Sequence, residues 1–233
     1  KNIRGTITII PSLNPDGLNY NIRGMPGAGV DLNRLYPGKS TGYIAERITA
    51  KIWEIAKKHD IIVALHTIGR GIPFVLLDPV KGELKEKNDA LAAATGITVL
   101  DEFESEDYAQ QNLGASLGGV ASSAMIPSLT IELAGSKDID WGTVEAGYLA
   151  VRNVLVHAGV LKGKITPVKS SIVIRESGYR REDVFTEKGG LLEYVVDLGQ
   201  KVKAGQVVAK VRNPFGEAIE EVRMPQDGYI VAL

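Results

Sequence analysis

Apolar residues in the first two thirds of the chain follow two different spacings. Ile44, Ile48, Ile52 and Ile55 recur every three or four residues, which predicts an amphipathic helix over residues 41–58. The other predicted helices are at residues 83–95 and 143–158, and short apolar runs predict strands at residues 6–10, 61–65, 74–77 and 128–133. Alternating strands and helices predict an α/β fold: a mainly parallel or mixed sheet flanked by helices.

The pattern changes after about Lys162. Residues 165–175 predict a strand, residues 190–211 two strands around a glycine-punctuated turn, and residues 224–233 the start of another strand. No helical spacing occurs in this part. We therefore predict two domains, an α/β domain at residues 1–162 and a small all-β domain at residues 163–233.

The amino-acid composition limits the classes of molecule that this chain could bind. The chain has 233 residues, of which 44% are hydrophobic and 24% charged, and its net charge is −1. This balance argues against nucleic acid or an anionic membrane surface as the main partner. There is no cysteine, which excludes disulfides, thiolate catalysis and cysteine zinc sites and is compatible with the cytoplasm, the expected location.

His66 and Glu132 stand near the ends of two predicted strands. Neutral imidazole is the commonest metal ligand in proteins, although a single histidine at a strand end is also explained by a bond to a backbone group. Glu132 lies between apolar neighbours, where a carboxylate is costly unless it is paired or functional. Burial would raise its pKa toward the range of a general base.

The long loop at residues 11–38 carries the candidate substrate ligands. The planar guanidinium of Arg34 suits two-point binding of a carboxylate, and Asn33 can add an amide hydrogen bond to the same group. Arg23 could polarise a carbonyl or stabilise an oxyanion. For each arginine, a solvated surface position remains the alternative.

Four segments in this order resemble one known family. They are Asn14-Pro15-Asp16-Gly17, Asp31-Leu32-Asn33-Arg34, Ala64-Leu65-His66-Thr67 and the strand that carries Glu132. Together they are similar to the succinylglutamate desuccinylase/aspartoacylase family of the zinc carboxypeptidase superfamily.

The resemblance implies a zinc-dependent amidohydrolase, acting on C–N bonds other than peptide bonds and cleaving the amide of an N-acyl amino acid. It implies that His66 is a zinc ligand and that Glu132 is the catalytic base and acid. Arg34 with Asn33 would bind the substrate carboxylate, and Arg23 would polarise the carbonyl. The implied partner is a small-molecule N-acyl amino acid, with no nucleic acid and no membrane, and a homo-oligomer is left open.

Two positions depart from the family pattern. Ala64 stands where the family has an aspartate, which removes a carboxylate that would shape the site. A His-x-x-Glu pair, which supplies the other two zinc ligands in the family, is absent from the chain. We therefore expect a catalytic domain that is incomplete at its N-terminus, with both ligands in a segment absent from this chain.

Residues 163–233 resemble a half-repeat of biotinyl and lipoyl carrier domains. A carrier needs a modifiable lysine at a hairpin tip, and the corresponding tip, Asn213-Pro214-Phe215-Gly216, has none. A scaffold or interface role is therefore expected.

Two functional hypotheses remain from the sequence. One is the zinc deacylase, with specificity set by loops such as residues 102–119. The other is a non-catalytic or metal-deficient family member that acts as a carboxylate-binding or assembly protein, which Ala64 and the missing ligands favour.

Overall fold

The computed structural model describes residues 3–103, 105–135 and 139–233. The α-helices are α1 (Pro15–Tyr20), α2 (Ile44–Ala56), α3 (Gly82–Thr95), α4 (Ser105–Gln110), α5 (Leu117–Ser123) and α6 (Trp141–His157). The strands are β1 (Ile62–Thr67), β2 (Phe74–Leu77), β3 (Thr98–Asp101), β4 (Ser128–Leu133), β5 (Leu191–Tyr194), β6 (Lys201–Val202), β7 (Val207–Arg212), β8 (Ala218–Arg223) and β9 (Gly228–Tyr229). Short 3-10 helices lie at Leu32–Arg34 and Leu113–Ala115. No helix in this described part of the chain is long and apolar enough to cross a membrane.

A four-stranded mixed sheet forms the centre of the α/β part. Its strand order is β1-β4-β2-β3, in which β1 runs parallel to β4, β2 runs parallel to β3, and β2 runs antiparallel to β4. The register places Glu132 between His66 on one side and Phe74 on the other. The prediction of a mixed sheet flanked by helices is confirmed.

The two faces of this sheet have different neighbours. Alternate residues of β2 and β4, such as Val75 and Ile131, are fully buried against Ala146 and Ala150 of α6 and against α3. The other face is covered over β1 by α2 and α5 and over β2 and β3 by residues that include Ile174. Since side chains alternate along a strand, His66, Leu76, Thr130 and Glu132 share this second face.

Local sequence explains where the main helices begin and end. In α2, the buried stripe is Ala45, Thr49 and Ile52, so Ile52 lies inward as the isoleucine spacing predicts while Ile44 is 51% exposed. The helix is also shorter than residues 41–58. The Asp140 carboxylate accepts hydrogen bonds from the amides of Gly142 and Thr143 at the start of α6. Gly96, with φ of 79°, ends α3 as predicted, because this left-handed conformation suits glycine.

Two predicted strands are absent from the structure. Residues 6–10 form no strand, and Ile9 is 77% exposed. Residues 165–175 also form no strand, and side chains bond part of their backbone: Asn153 bonds both backbone groups of Thr166, and the Thr98 hydroxyl accepts from the Ile174 amide. A β-branched run becomes a strand only when a neighbouring strand supplies its backbone partners.

The region after residue 190 contains the predicted β structure. The strands β5, β7 and β8 form one antiparallel sheet, and β6 pairs with β9. The connection from β7 to β8 contains Asn213 to Gly216, where the tip is predicted. The chain end contacts the central region, because the Leu233 amide donates to the Arg70 carbonyl at 2.8 Å.

Replacing Asn153 by Ala is expected to destabilise the protein by about 2–4 kcal/mol. Asn153 is fully buried, and its amide donates to the carbonyls of Thr95 and Thr166 and accepts from the Thr166 amide. The substitution leaves the buried Thr95 carbonyl and the two part-buried backbone groups of Thr166 without these partners, and an unpaired buried group costs roughly 1–3 kcal/mol. Urea unfolding measures the effect.

The matched control is Glu145→Ala, an exposed position on the same helix, for which a change within about 0.5 kcal/mol is expected. An equally small change in Asn153→Ala would show that another contact holds residues 165–175 in place.

Candidate functional site

One cavity contains all five residues that the sequence predicts for the site. It has a volume of about 310 Å³, and Arg23, Asn33, Arg34, His66 and Glu132 line its wall. The cavity lies over the face of the central sheet. His66 and Glu132 are each the last residue but one of their strands, so both stand near a strand end as the sequence predicts.

His66 and Glu132 are side by side on neighbouring parallel strands. The His66 Nδ1 atom is 3.6 Å from the Glu132 Oε1 atom, beyond ordinary hydrogen-bond distance. Burial lowers the pKa of His66, and the Arg23 and Arg34 guanidinium groups lower it further while Asp31 opposes them. The imidazole is therefore held in its neutral, ligand-competent form at neutral pH.

The Glu132 carboxylate is buried with unused acceptor capacity. The residue is 8% exposed, and its Oε2 atom has no hydrogen-bond partner in the described part of the chain. Burial raises the pKa of Glu132, the guanidinium groups of Arg181 and Arg23 oppose that shift, and Glu102 adds to it. A buried carboxylate of a residue that lines a cavity can accept a proton from a molecule bound there.

Asp31 holds the two loop arginines in place. Its Oδ2 atom accepts from Arg23 Nε at 2.9 Å and lies 3.8 Å from Arg34 Nη1. Its Oδ1 atom accepts from the Asn33 amide at 2.8 Å and begins the 3-10 helix. Asp31 belongs to the Asp31-Leu32-Asn33-Arg34 segment, and its carboxylate lies between both guanidinium groups.

Arg34 is half-buried and anchored by backbone carbonyls. Its Nε atom donates to the Gln111 carbonyl at 2.7 Å, and its Nη1 atom donates to the Asn33 carbonyl at 2.8 Å. The Asn33 Oδ1 atom accepts from the Leu117 amide at 3.0 Å. Among hydrogen bonds between described residues, Arg34 Nη2 and Asn33 Nδ2 remain unused, so both can donate to a ligand.

Three further charged residues line the same cavity and are missed by the sequence reasoning. They are Asp78, Glu102 and Arg181. Asp78 and Glu102 directly follow β2 and β3, so polar residues at these strand ends are the signal that could have found them. Arg181 has no such signal, because it lies about 50 residues after Glu132 in a region predicted to be a separate domain.

The described residues supply one candidate zinc ligand. Within residues 3–103, 105–135 and 139–233, no group of three or more His, Asp or Glu side chains is placed to hold a metal ion. His66 is suited to one ligand position, and a catalytic zinc normally takes three protein ligands. These residues by themselves do not complete a zinc site.

Comparisons with known proteins agree with this fold. A model of the succinylglutamate desuccinylase/aspartoacylase catalytic domain matches residues 1–158. An N-alpha-acetyl-L-2,4-diaminobutyric acid deacetylase from Halomonas elongata is 28% identical over 250 residues, which cover 100% of this chain and 68% of that protein.

Two solved structures show the same fold. The product-bound ectoine utilization protein EutE (DoeB) from Ruegeria pomeroyi has a TM-score of 0.80 at 23% identity, and a succinylglutamate desuccinylase from a Silicibacter species has a TM-score of 0.81 at 24% identity. Each match covers 96% of this chain and 68% of the other. The range matched by the family model contains all five predicted site residues and leaves Arg181 outside.

Proposed function

Since this chain belongs to the succinylglutamate desuccinylase/aspartoacylase family, we propose that it hydrolyses the amide bond of a small N-acylated amino acid. The products would be a carboxylic acid and the free amine. The observation that carries the proposal is the buried Glu132 carboxylate: the residue lines an arginine-containing cavity beside His66, and its Oε2 atom has no hydrogen-bond partner among the described residues. The Halomonas deacetylase supports an N-acetyl amino acid as substrate.

In this proposal, Glu132 moves the proton of the hydrolytic water. Its carboxylate accepts a proton as the water oxygen bonds to the acyl carbon, and it returns that proton to the nitrogen as the C–N bond breaks. The elevated pKa of Glu132, caused by burial, favours both transfers at neutral pH.

Arg34, Asn33 and Arg23 would orient the substrate. Arg34 Nη2 and Asn33 Nδ2 are free to donate to the α-carboxylate, while the backbone bonds of Arg34 keep its guanidinium in place. Arg23 uses Nε for Asp31, which leaves its two terminal nitrogens for the acyl oxygen as negative charge develops there. Such preorganised donors lower the barrier because they need no rearrangement during the reaction.

Zinc is the cofactor that the family resemblance implies, and it would polarise the amide carbonyl and acidify the water. His66 would be one ligand, and the other ligands would have to come from outside the described residues.

A direct assay tests the function. The chain, supplied with zinc, is incubated with N-acetyl and N-succinyl amino acids, and NMR measures the released carboxylic acid and amine. Release of both products in equal amounts is expected. No release from any of these substrates would contradict the proposal.

A metal-binding measurement tests the role of His66. Zinc affinity is expected to fall at least about tenfold in His66→Ala, because an imidazole ligand is lost. His59→Ala is the matched control, since His59 bonds the Ile55 carbonyl and the Thr8 hydroxyl away from the cavity. Equal affinity in the wild type and His66→Ala would exclude His66 as a ligand.

The second candidate function is carboxylate binding without catalysis. The lack of a group of three metal ligands among the described residues favours it. It predicts millimolar or weaker zinc binding together with intact, Arg34-dependent binding of an N-acetyl amino acid. Tight, stoichiometric zinc binding would reject it.

A further inference from the structure

The Asn14 side chain connects the start and the end of the loop segment that leads to Arg23. Its Oδ1 atom accepts from the Gly17 amide at 3.0 Å and caps α1. Its Nδ2 group donates to the carbonyls of Arg23 at 3.3 Å and Gly24 at 3.2 Å. A reversed amide would set its oxygen against two carbonyl oxygens, so these three bonds fix the orientation of the group. One side chain therefore has two separable tasks: its oxygen caps a helix, and its nitrogen holds residues 23–24.

The backbone around Gly17 leaves room for that amide. Gly17 is buried, and a Cβ added there would collide with the Asn14 amide and stand 2.9 Å from the Ile22 carbonyl oxygen. Asn21, with φ of 52°, ends α1, and the Ile22 amide donates to the Gly17 carbonyl at 2.9 Å. Asn14 and Gly17, the first and last residues of one sequence motif, thus act together on the backbone that leads into Arg23.

Hydrogen bonds, rather than packing, hold the Arg23 side chain in place. The side chain is 65% exposed, and its Nε atom donates to Asp31 Oδ2 at 2.9 Å. That bond holds the guanidinium end, while the Asn14 bond to the Arg23 carbonyl holds the backbone end. A long side chain that is fixed at one end alone samples several rotamers. The position of the Arg23 guanidinium in the cavity wall therefore depends on both anchors.

We propose that Asn14 is a positioning residue for Arg23. Its amide holds the backbone of residues 23–24, so that the Arg23 guanidinium stands where the acyl oxygen of the substrate develops negative charge. This deepens the proposed function and rests on it, because Arg23 acts on the acyl oxygen only if the chain hydrolyses an amide. Preorganised groups lose their effect steeply when they are displaced, and a shift of about 1 Å can cost roughly 100-fold in rate.

Asn14→Asp separates the two tasks of this side chain. An aspartate caps a helix about as well as an asparagine, so it keeps the bond to the Gly17 amide. It has no N–H group to donate to the carbonyls of Arg23 and Gly24. We expect kcat for an N-acetyl amino acid to fall by about 10- to 100-fold, with KM within about threefold of the wild type, because the contact with the acyl oxygen strengthens in the transition state. A wild-type kcat in Asn14→Asp would show that the residue only caps α1 and would overturn the proposal.

Two further variants separate this effect from changes in charge and in folding. Asn19→Asp adds the same charge at an exposed position of α1 and should keep the wild-type kcat. Asn14→Ala removes the amide without adding a charge and should also lower kcat by about 10- to 100-fold. Thermal unfolding identifies a variant that fails to fold, and the remaining Asn14 variant then enters the double-mutant cycle.

A double-mutant cycle tests whether Asn14 acts through Arg23. In the Arg23→Ala background, Asn14→Asp or Asn14→Ala is expected to change kcat by less than about twofold, because the group that Asn14 positions is gone. A further fall as large as that in the wild-type background would show that Asn14 acts independently of Arg23. That result would overturn the positioning role while the proposed function stands.

A measurement without substrate distinguishes a failure of this positioning from a failure of the proposed function. NMR detects the Arg23 Nε–H group, and its signal is identified by its loss in Arg23→Ala. Exchange of this proton with water is expected to be at least about threefold faster in Asn14→Asp, because the bond to Asp31 opens more often when its backbone anchor is lost, and unchanged in Asn19→Asp. Equal exchange in Asn14→Asp and the wild type would overturn the positioning role. Faster exchange in a chain that hydrolyses no N-acyl amino acid would contradict the proposed function and support the anchoring of Arg23 by Asn14.

Discussion

Glu132→Gln is expected to lower kcat/KM for an N-acyl amino acid by about 10²- to 10⁴-fold, the usual contribution of general acid–base catalysis. The amide matches the carboxylate in shape but cannot accept and return the proton of the hydrolytic water. Glu132 Oε2 has no hydrogen-bond partner among the described residues, so the substitution breaks no bond within the protein through that atom. The fall should therefore appear in kcat, with KM changed little.

Initial-rate kinetics and thermal unfolding measure this effect. The melting temperature is expected to stay the same or to rise, because the substitution removes a buried charge. Glu54→Gln, on the exposed face of α2, is the control that should retain full activity. Activity within threefold of the wild type in Glu132→Gln would exclude Glu132 as the general base.

Arg34→Ala is expected to weaken binding of the substrate carboxylate by about 10²-fold, because a charge-assisted contact in a half-buried site is lost. Arg34→Lys should recover only part of it, since an ammonium group cannot bond the carbonyls of Gln111 and Asn33 and a ligand with the same planar geometry. KM should rise more than kcat falls, because the contact orients the substrate without taking part in proton transfer.

A paired ligand isolates this contact from a general loss of structure. The wild type should bind an N-acetyl amino acid more tightly than the corresponding primary amide, which lacks the carboxylate, and Arg34→Ala should bind both equally. Arg47→Ala, at an exposed position of α2, is the matched control. Undiminished discrimination in Arg34→Ala would assign the carboxylate to another residue.

Long helices and buried strands could be predicted from the chain alone. The spacing in α2 and the apolar run in β4 each bury a continuous surface, so local pattern and tertiary packing agree. The prediction is wrong at residues 6–10 and 165–175, where β-branched runs have no neighbouring strand. The short helices α1, α4 and α5 were not predicted, because six or seven residues carry too little periodicity to distinguish a helix from a loop.

Part of the candidate site could also be predicted from the sequence, because five of its residues lie in short motifs. Arg23, Asn33, Arg34, His66 and Glu132 belong to segments whose order is similar to one family, and the structure places all five around one cavity. Their chemical roles remain predictions that the variants above test. Asp78, Glu102 and Arg181 could not be found in this way, because each lies outside those segments.

The sequence by itself determined three features. The spacing of apolar and polar residues determined the fold class, and four short motifs determined the family and five residues of the cavity wall. Those features depend on local spacing and on short motifs, which a sequence contains directly. Only the tertiary structure showed that Asp78, Glu102 and Arg181 also line the cavity. The antiparallel placement of β2 against β4 sets Asp78 and Glu102 across the sheet from His66, and a segment that begins after the family domain positions Arg181 beside them. Contacts between residues so far apart in the chain depend on strand order and packing, and for that reason the full set of charged residues around the cavity became visible only in the folded protein.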